Sequence, residues 1–213
     1  MFRIFGIPVP FIACLIILNY SAYAQITGLD KSTLIELSED RTNGQTKFFQ
    51  AVSNSTGAIS AFIPAVLLIA GEIKGDKPMV QKALYIGESI AVSSVITWGL
   101  KYSINRPRPA AQYPGEIAAA STGGSPSFPS GHTSLAFSTA TALYMAWPKW
   151  YIGVPAFTWA GLVSYSRMDL GVHYPSDILA GAVVGVGSAW LTYKANEWIR
   201  RKHTTKNPMT ALR

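Results

Sequence analysis

Residues 48–71 read FFQAVSNSTGAISAFIPAVLLIAG, and none of them carries a charge. The run is long for a strand and does not alternate with period two, so it reads as a helix. Four more apolar stretches follow. Residues 83–100 contain one charge, Glu88, and residues 133–147, 150–165 and 178–193 contain none. Ala, Gly and Ser are frequent in them, and Gly181 and Gly185 have the small-xxx-small spacing that lets membrane helices approach closely. Several stretches fall short of the ~20 residues a span usually needs, which keeps a soluble all-helical bundle as the alternative.

Composition supports the membrane reading. The chain has 213 residues, 49% apolar and 14% charged, against about 25% charged in a typical soluble domain. That length suits one domain. The net charge of +7 comes from scattered basic residues, and the aromatics lie in apolar runs, so no nucleic-acid partner is expected. With Cys14 as its single cysteine, the chain builds neither a disulfide framework nor a cysteine zinc site.

Residues 1–24 read as a secretory signal: Arg3 is the positive start, residues 4–18 the apolar core, and Ala22-Tyr23-Ala24 the cleavage site. The rival reading is an uncleaved anchor helix. Either way Gln25 emerges on the outer face. Residues 25–47 form a polar outer segment with a short helix expected around residues 34–37 and no chemistry assigned. Crossing at each apolar stretch then places ten of the 18 Lys and Arg residues inside: Lys74, Lys77, Lys82, Lys149, Lys194, Arg200, Arg201, Lys202, Lys206 and Arg213. This follows the positive-inside rule. The expected fold is an all-α transmembrane bundle of five helices after the signal peptide, or six if the signal is retained. Residues 48–195 form its membrane domain and residues 196–213 a basic inner tail, in which His203 is solvated.

Three of the seven outer cations sit in motifs. Lys101 closes the second apolar stretch, and Arg108-Pro109 follows after six residues. Pro107 and Pro109 disfavour helix for the residues before them, so Lys101 points from a helix end while Arg108 lies on an extended arm. Pro129-Ser130-Gly131-His132 comes next, just before a helix start whose free N–H groups and dipole suit phosphate. Then come Ser166-Arg167, His173 and Asp177. Pro175 can occupy a first helical turn, which places Asp177 there with His173 just ahead. A carboxylate so placed can fix the tautomer and direction of an imidazole and leave its other nitrogen free to attack an anion. Each piece taken singly also has a plainer reading: snorkelling cations at a helix end, a capped turn, a helix cap with a surface salt bridge.

In these three ordered motifs the chain resembles the type 2 phosphatidic acid phosphatase family, which shares its site with bacterial non-specific acid phosphatases and vanadate haloperoxidases. Lys101, Arg108, Pro109, Pro129, Ser130, Gly131, His132, Ser166, Arg167, His173 and Asp177 fill every motif position, and the resemblance spans roughly residues 48–195. It implies that Lys101, Arg108, Ser130, Gly131 and Arg167 hold phosphate. It implies that His173 is the nucleophile that becomes a phosphohistidine, with Asp177 orienting it. His132 would protonate the leaving oxygen and then activate water. Phosphoryl transfer is mainly positioning and charge stabilisation, which three cations and a helix end supply, so no cofactor and no metal are expected. The implied function is a membrane phosphatase on the periplasmic face of a bacterial inner membrane, with a lipid phosphomonoester or diphosphate as substrate. The alternatives are a soluble secreted acid phosphatase and, after it, a vanadate haloperoxidase.

Overall fold

The computed structural model describes residues 3–4, 7–8, 28–121 and 123–206. Near the N-terminus β1 (Arg3–Ile4) and β2 (Ile7–Pro8) pair antiparallel. The remainder of the signal reading, Cys14 and residues 22–24 included, lies outside the described residues. Residues 28–39 form helix α1. Then come α2 (Asn43–Lys74), α3 (Lys77–Ile104), the single turn α4 (Pro109–Gln112), α5 (Gly131–Ala146), α6 (Trp150–Asp169) and α7 (Pro175–Lys206).

Local chemistry sets the ends. Helix α2 starts on a capping box, in which the Thr42 side chain takes the Gln45 N–H while the Gln45 side chain takes the Thr42 N–H. It stops at Gly75, whose φ of 66° lets the chain reverse. Asp76 caps α3 by accepting the Met79 N–H at 3.0 Å. That helix ends at Asn105, left-handed at φ 49°, which turns the chain toward Arg106. The five apolar stretches fall on α2, α3, α5, α6 and α7, with Trp147 alone lying just past its helix as the C-cap of α5. Two boundaries differ from expectation. The short helix sought around residues 34–37 is the three-turn α1, and α7 continues past residue 195 into the basic tail.

The bundle is built with small and hydroxylated residues inside and large apolar ones outside. Ala136, Ala140, Ala142, Ala160, Ser89, Ser93, Ser138 and Thr139 are buried, whereas Phe62, Ile73, Val95, Trp98, Trp150, Leu179 and Val183 are exposed. Buried hydroxyls bond between helices, with Thr97 Oγ1 2.7 Å from Ser134 Oγ and Ser138 Oγ donating to Ser89 O at 2.9 Å. Small interiors glued by hydroxyls, with the apolar bulk facing outward, are the packing of a protein that lives in lipid. Helix α2, the stretch from Lys77 to Gln112, and α7 are each long and apolar enough to cross a membrane.

Helix α5 sits at the centre against α7. At Gly181 a Cβ would lie 2.7 Å from Ser130 O, and at Gly185 one would lie 2.5 Å from Ser134 O. Glycine at both places lets the two backbones touch, as their spacing in the sequence predicted.

Candidate active site

The helices alternate in direction, so the C-terminal ends of α3 and α6 meet the N-terminal ends of α2, α5 and α7 at one end of the bundle. Lys101 stands in the last turn of α3 and Arg167 in the last turn of α6. Arg108 is extended, at φ −75° and ψ 156°, as its place before Pro109 requires. Ser130 is the N-cap of α5, with Gly131 and His132 in its first turn. His173 immediately precedes α7, which begins at Pro175 with Asp177 in its first turn. All eight residues singled out in the sequence gather here. The basic loop and tail residues Lys74, Lys77, Lys149 and Lys194 lie toward the opposite helix ends.

His173 and Asp177 are fully buried. The ring Nδ1 lies 3.4 Å from Asp177 Oδ2 and the same distance from Ser127 Oγ. Next to a carboxylate Nδ1 carries the proton, which leaves Nε2 with its lone pair. Burial lowers the His173 pKa to about 3, against the opposing pull of Asp177, so the ring is neutral at physiological pH. Asp177 is held from several sides. Its Oδ2 accepts from Ser127 Oγ at 2.5 Å and from the Tyr174 N–H at 3.0 Å, and its Oδ1 accepts from Arg106 Nη1 at 2.7 Å.

The three cations form a cluster. Lys101 and Arg108 hold the adjoining carbonyls of residues 125–127, and Arg108 also holds Val172 O, next to His173, whose N–H donates to Arg167 O. Lys101 Nζ donates to Pro126 O at 2.5 Å, and Arg108 donates to Ser125 O at 2.8 Å and Val172 O at 3.0 Å. Gly123 backs so closely onto the Arg108 guanidinium that a Cβ there would overlap it. Arg167 Nη1 donates to Ser53 Oγ at 2.5 Å, while its buried Nε–H meets no acceptor among the described residues. None of the three pairs with a carboxylate among the described residues. Three positive charges at one end of the bundle, hydrogen-bonded to neutral oxygens and paired with no carboxylate, make a site for an anion with several oxygens. Ser130 Oγ accepts from Thr133 Oγ1 at 3.0 Å and caps Thr133 N–H at 3.4 Å, which leaves its own O–H to donate.

Sequence reasoning missed three participants. Ser127 was passed over as loop, yet its hydroxyl bridges toward both members of the His–Asp pair. Arg106, an outer cation that belongs to none of the three motifs, binds the catalytic candidate Asp177 directly. Residues 25–47, expected only as a polar outer segment, reach the site as well: Asp30 of α1 accepts from Arg106 Nη2 at 2.8 Å. For Arg106 a signal existed, the repeated Arg-Pro pair at residues 106–109; for Asp30, distant in sequence, there was none.

Comparison with known proteins identifies the family. The lipid A 4'-phosphatase of Bacteroides thetaiotaomicron is 39% identical over 71 residues, 33% of this chain and 32% of its own length. The undecaprenyl-diphosphatase of Sulfolobus acidocaldarius is 39% identical over 67 residues, 32% of this chain and 31% of its own. The chain thus spans about a third of the length of these two relatives. The crystal structure of Aquifex aeolicus LpxE superposes with a TM-score of 0.67 at 28% identity, covering 78% of this chain and 95% of that one. A family model described as the PAP2 superfamily matches residues 82–201, which hold all three motifs and more than half of the chain, and the protein belongs to that superfamily.

Proposed function

We propose that the protein is a metal-independent membrane phosphatase that hydrolyses a lipid phosphomonoester or diphosphate through a phosphohistidine, at the periplasmic face of a bacterial inner membrane. The observation that carries this is a neutral, carboxylate-oriented His173 at the same end of the bundle as three cations that pair with no carboxylate among the described residues. The chemistry then runs in two balanced steps. His173 Nε2 attacks phosphorus, the bond to the leaving oxygen breaks, and His132, which takes up a proton from solvent as the bound phosphate offsets the cations around it, supplies that oxygen's proton. Water next attacks the phosphohistidine, giving its proton to His132, and the P–N bond breaks to release phosphate. Lys101, Arg108, Arg167, the Ser130 hydroxyl and the free N–H groups at the start of α5 hold the phosphoryl oxygens throughout.

Several facts support the particulars. The outward apolar surface favours a lipid substrate delivered from the bilayer over a soluble one. The opposite helix ends carry most of the Lys and Arg, which by the positive-inside rule turns the site outward. Five spans after a cleaved or retained signal satisfy the alternation of the helices. The relatives' names point to lipid A and polyprenyl diphosphate as substrate classes to try, with phosphatidic acid and phosphatidylglycerol phosphate beside them. The test is phosphate release by purified protein in detergent across that panel, with vanadate as inhibitor and a strong chelator present. Activity that survives chelation and falls with vanadate is expected. Activity lost to chelator and restored by a divalent ion would overturn the metal-free mechanism.

A further inference from the structure

Asp30 lies outside the segment that matches the family model, yet its carboxylate is buried beside the His–Asp pair. Its Oδ1 accepts the backbone N–H of Ser176 at 2.9 Å, and its Oδ2 accepts from Ser176 Oγ at 2.5 Å. Helix α7 opens on Tyr174-Pro175, and tyrosine is no capping residue. Asp30 therefore does for α7, from 146 residues upstream, what a local Ser or Asp usually does. The same carboxylate holds one arm of Arg106, Nη2 at 2.8 Å, while the other arm, Nη1, reaches Asp177 Oδ1 at 2.7 Å. The guanidinium is pressed over the Tyr174 ring, with Cζ 3.9 Å from the centroid, so it has little freedom to swing.

One positive charge is thus divided between two carboxylates. The more of it Asp30 neutralises, the less it draws from Asp177, and the more negative charge Asp177 presents to His173. We infer that Asp30, carried on α1, is a positioning residue for phosphoryl transfer: through Arg106 it fixes the direction of the Asp177 carboxylate and preserves its hold on His173. The inference rests on the phosphatase reading above. Helix α1 has anchors besides Asp30, namely Lys31 paired with Glu116 at 2.7 Å and Leu34 buried with Ile117 and Tyr174. Removing the Asp30 charge should therefore leave the helix docked.

The experiment compares purified full-length wild type, Asp30→Asn and Lys31→Ala on a soluble aryl phosphate in detergent, with a melting curve for each. Asp30→Asn is expected to lower kcat about tenfold, well under the ~10⁴ that disabling a direct orienting carboxylate can cost. Its KM and melting temperature should stay close to wild type, because the phosphate-holding cations are untouched. Lys31→Ala, which loosens only the exposed anchor, should change neither kcat nor KM by more than about twofold. A kcat for Asp30→Asn within about twofold of wild type overturns the inference, and so does an equal fall in Lys31→Ala, which would make α1 a matter of docking alone. Should Asp30→Asn fail to fold, Arg106→Lys replaces it: an ammonium cannot bridge two carboxylates, and the same fall in kcat at constant KM is expected. An unchanged kcat there overturns the inference as well. A wild type that neither releases phosphate nor binds vanadate ends the phosphatase reading and takes this inference with it. An active, vanadate-sensitive wild type with an unaffected Asp30→Asn ends this inference alone.

Discussion

Of the two site histidines, His173 has a carboxylate on its Nδ1 and His132 stands among cations at the start of α5. That asymmetry separates their roles. His173→Ala should form no phosphoenzyme with any substrate. His132→Ala loses only proton transfer, roughly 10²–10⁴-fold, and only as far as the leaving oxygen needs a proton. It should therefore still form phosphoenzyme from an aryl phosphate with a good leaving group and far less from an alkyl or lipid phosphate. Acid-labile phosphoenzyme in His173→Ala but not in His132→Ala would reverse the assignment. Burial of His173 has a second effect. Its pKa is depressed in the folded protein, to about 3, so the unfolded chain binds the proton more readily. The stability contributed by the neutral ring is complete above an unfolded pKa of roughly 6.5 and is lost as pH falls toward the folded value. Detergent melts between neutral and acid pH should show wild type losing stability more steeply than His173→Gln. Parallel curves would contradict the burial argument.

Among the elements, the seam between α5 and α7 decides whether the site exists, because Ser130 N–H donates to Asp177 O at 3.0 Å across it. Gly185→Leu would force the helices apart at a point where even a Cβ lands 2.5 Å from Ser134 O. Overpacking of this kind costs about 1–3 kcal/mol. The variant should melt earlier and lose turnover together, whereas Gly187→Ala, which meets open space, should do neither. Gly181 and Gly185 could be read beforehand, since a four-residue spacing of small residues has only a few physical uses. So could the helical reading of the apolar stretches, the cations at helix ends, and the placing of Asp177 in the first turn of α7. What could not be read was α1. Residues 28–39 mix charge and apolarity without a strong period, and the value of Asp30 depends on a neighbour that only folding supplies. Arg106 is a mixed case: the repeated Arg-Pro pair marks it, but its aim depends on the left-handed turn at Asn105, a conformation that sequence permits but does not announce.

At the scale of the whole molecule, the exposed belt that includes Phe62, Val95, Trp98, Leu179 and Val183 means that the protein should stay with membranes through a salt wash and need detergent for release. Full recovery in a salt-washed soluble fraction would promote the secreted phosphatase. In a Cys14→Ser background, Ala119→Cys near the site and Lys149→Cys at the far end should label from opposite sides of intact cells. Labelling of both from one side would refute the alternation of the helices. The order in which the chain is made adds a further consequence of the bond between Asp30 and Ser176. Asp30 leaves the ribosome early, and its partner at the head of α7 emerges only when most of the polypeptide has been threaded into the bilayer. A chain made only as far as α4 therefore holds Lys101 and Arg108 but neither His173 nor the helix end that Asp30 braces. The proposed phosphatase activity would therefore be absent from the nascent chain until α7 has been delivered.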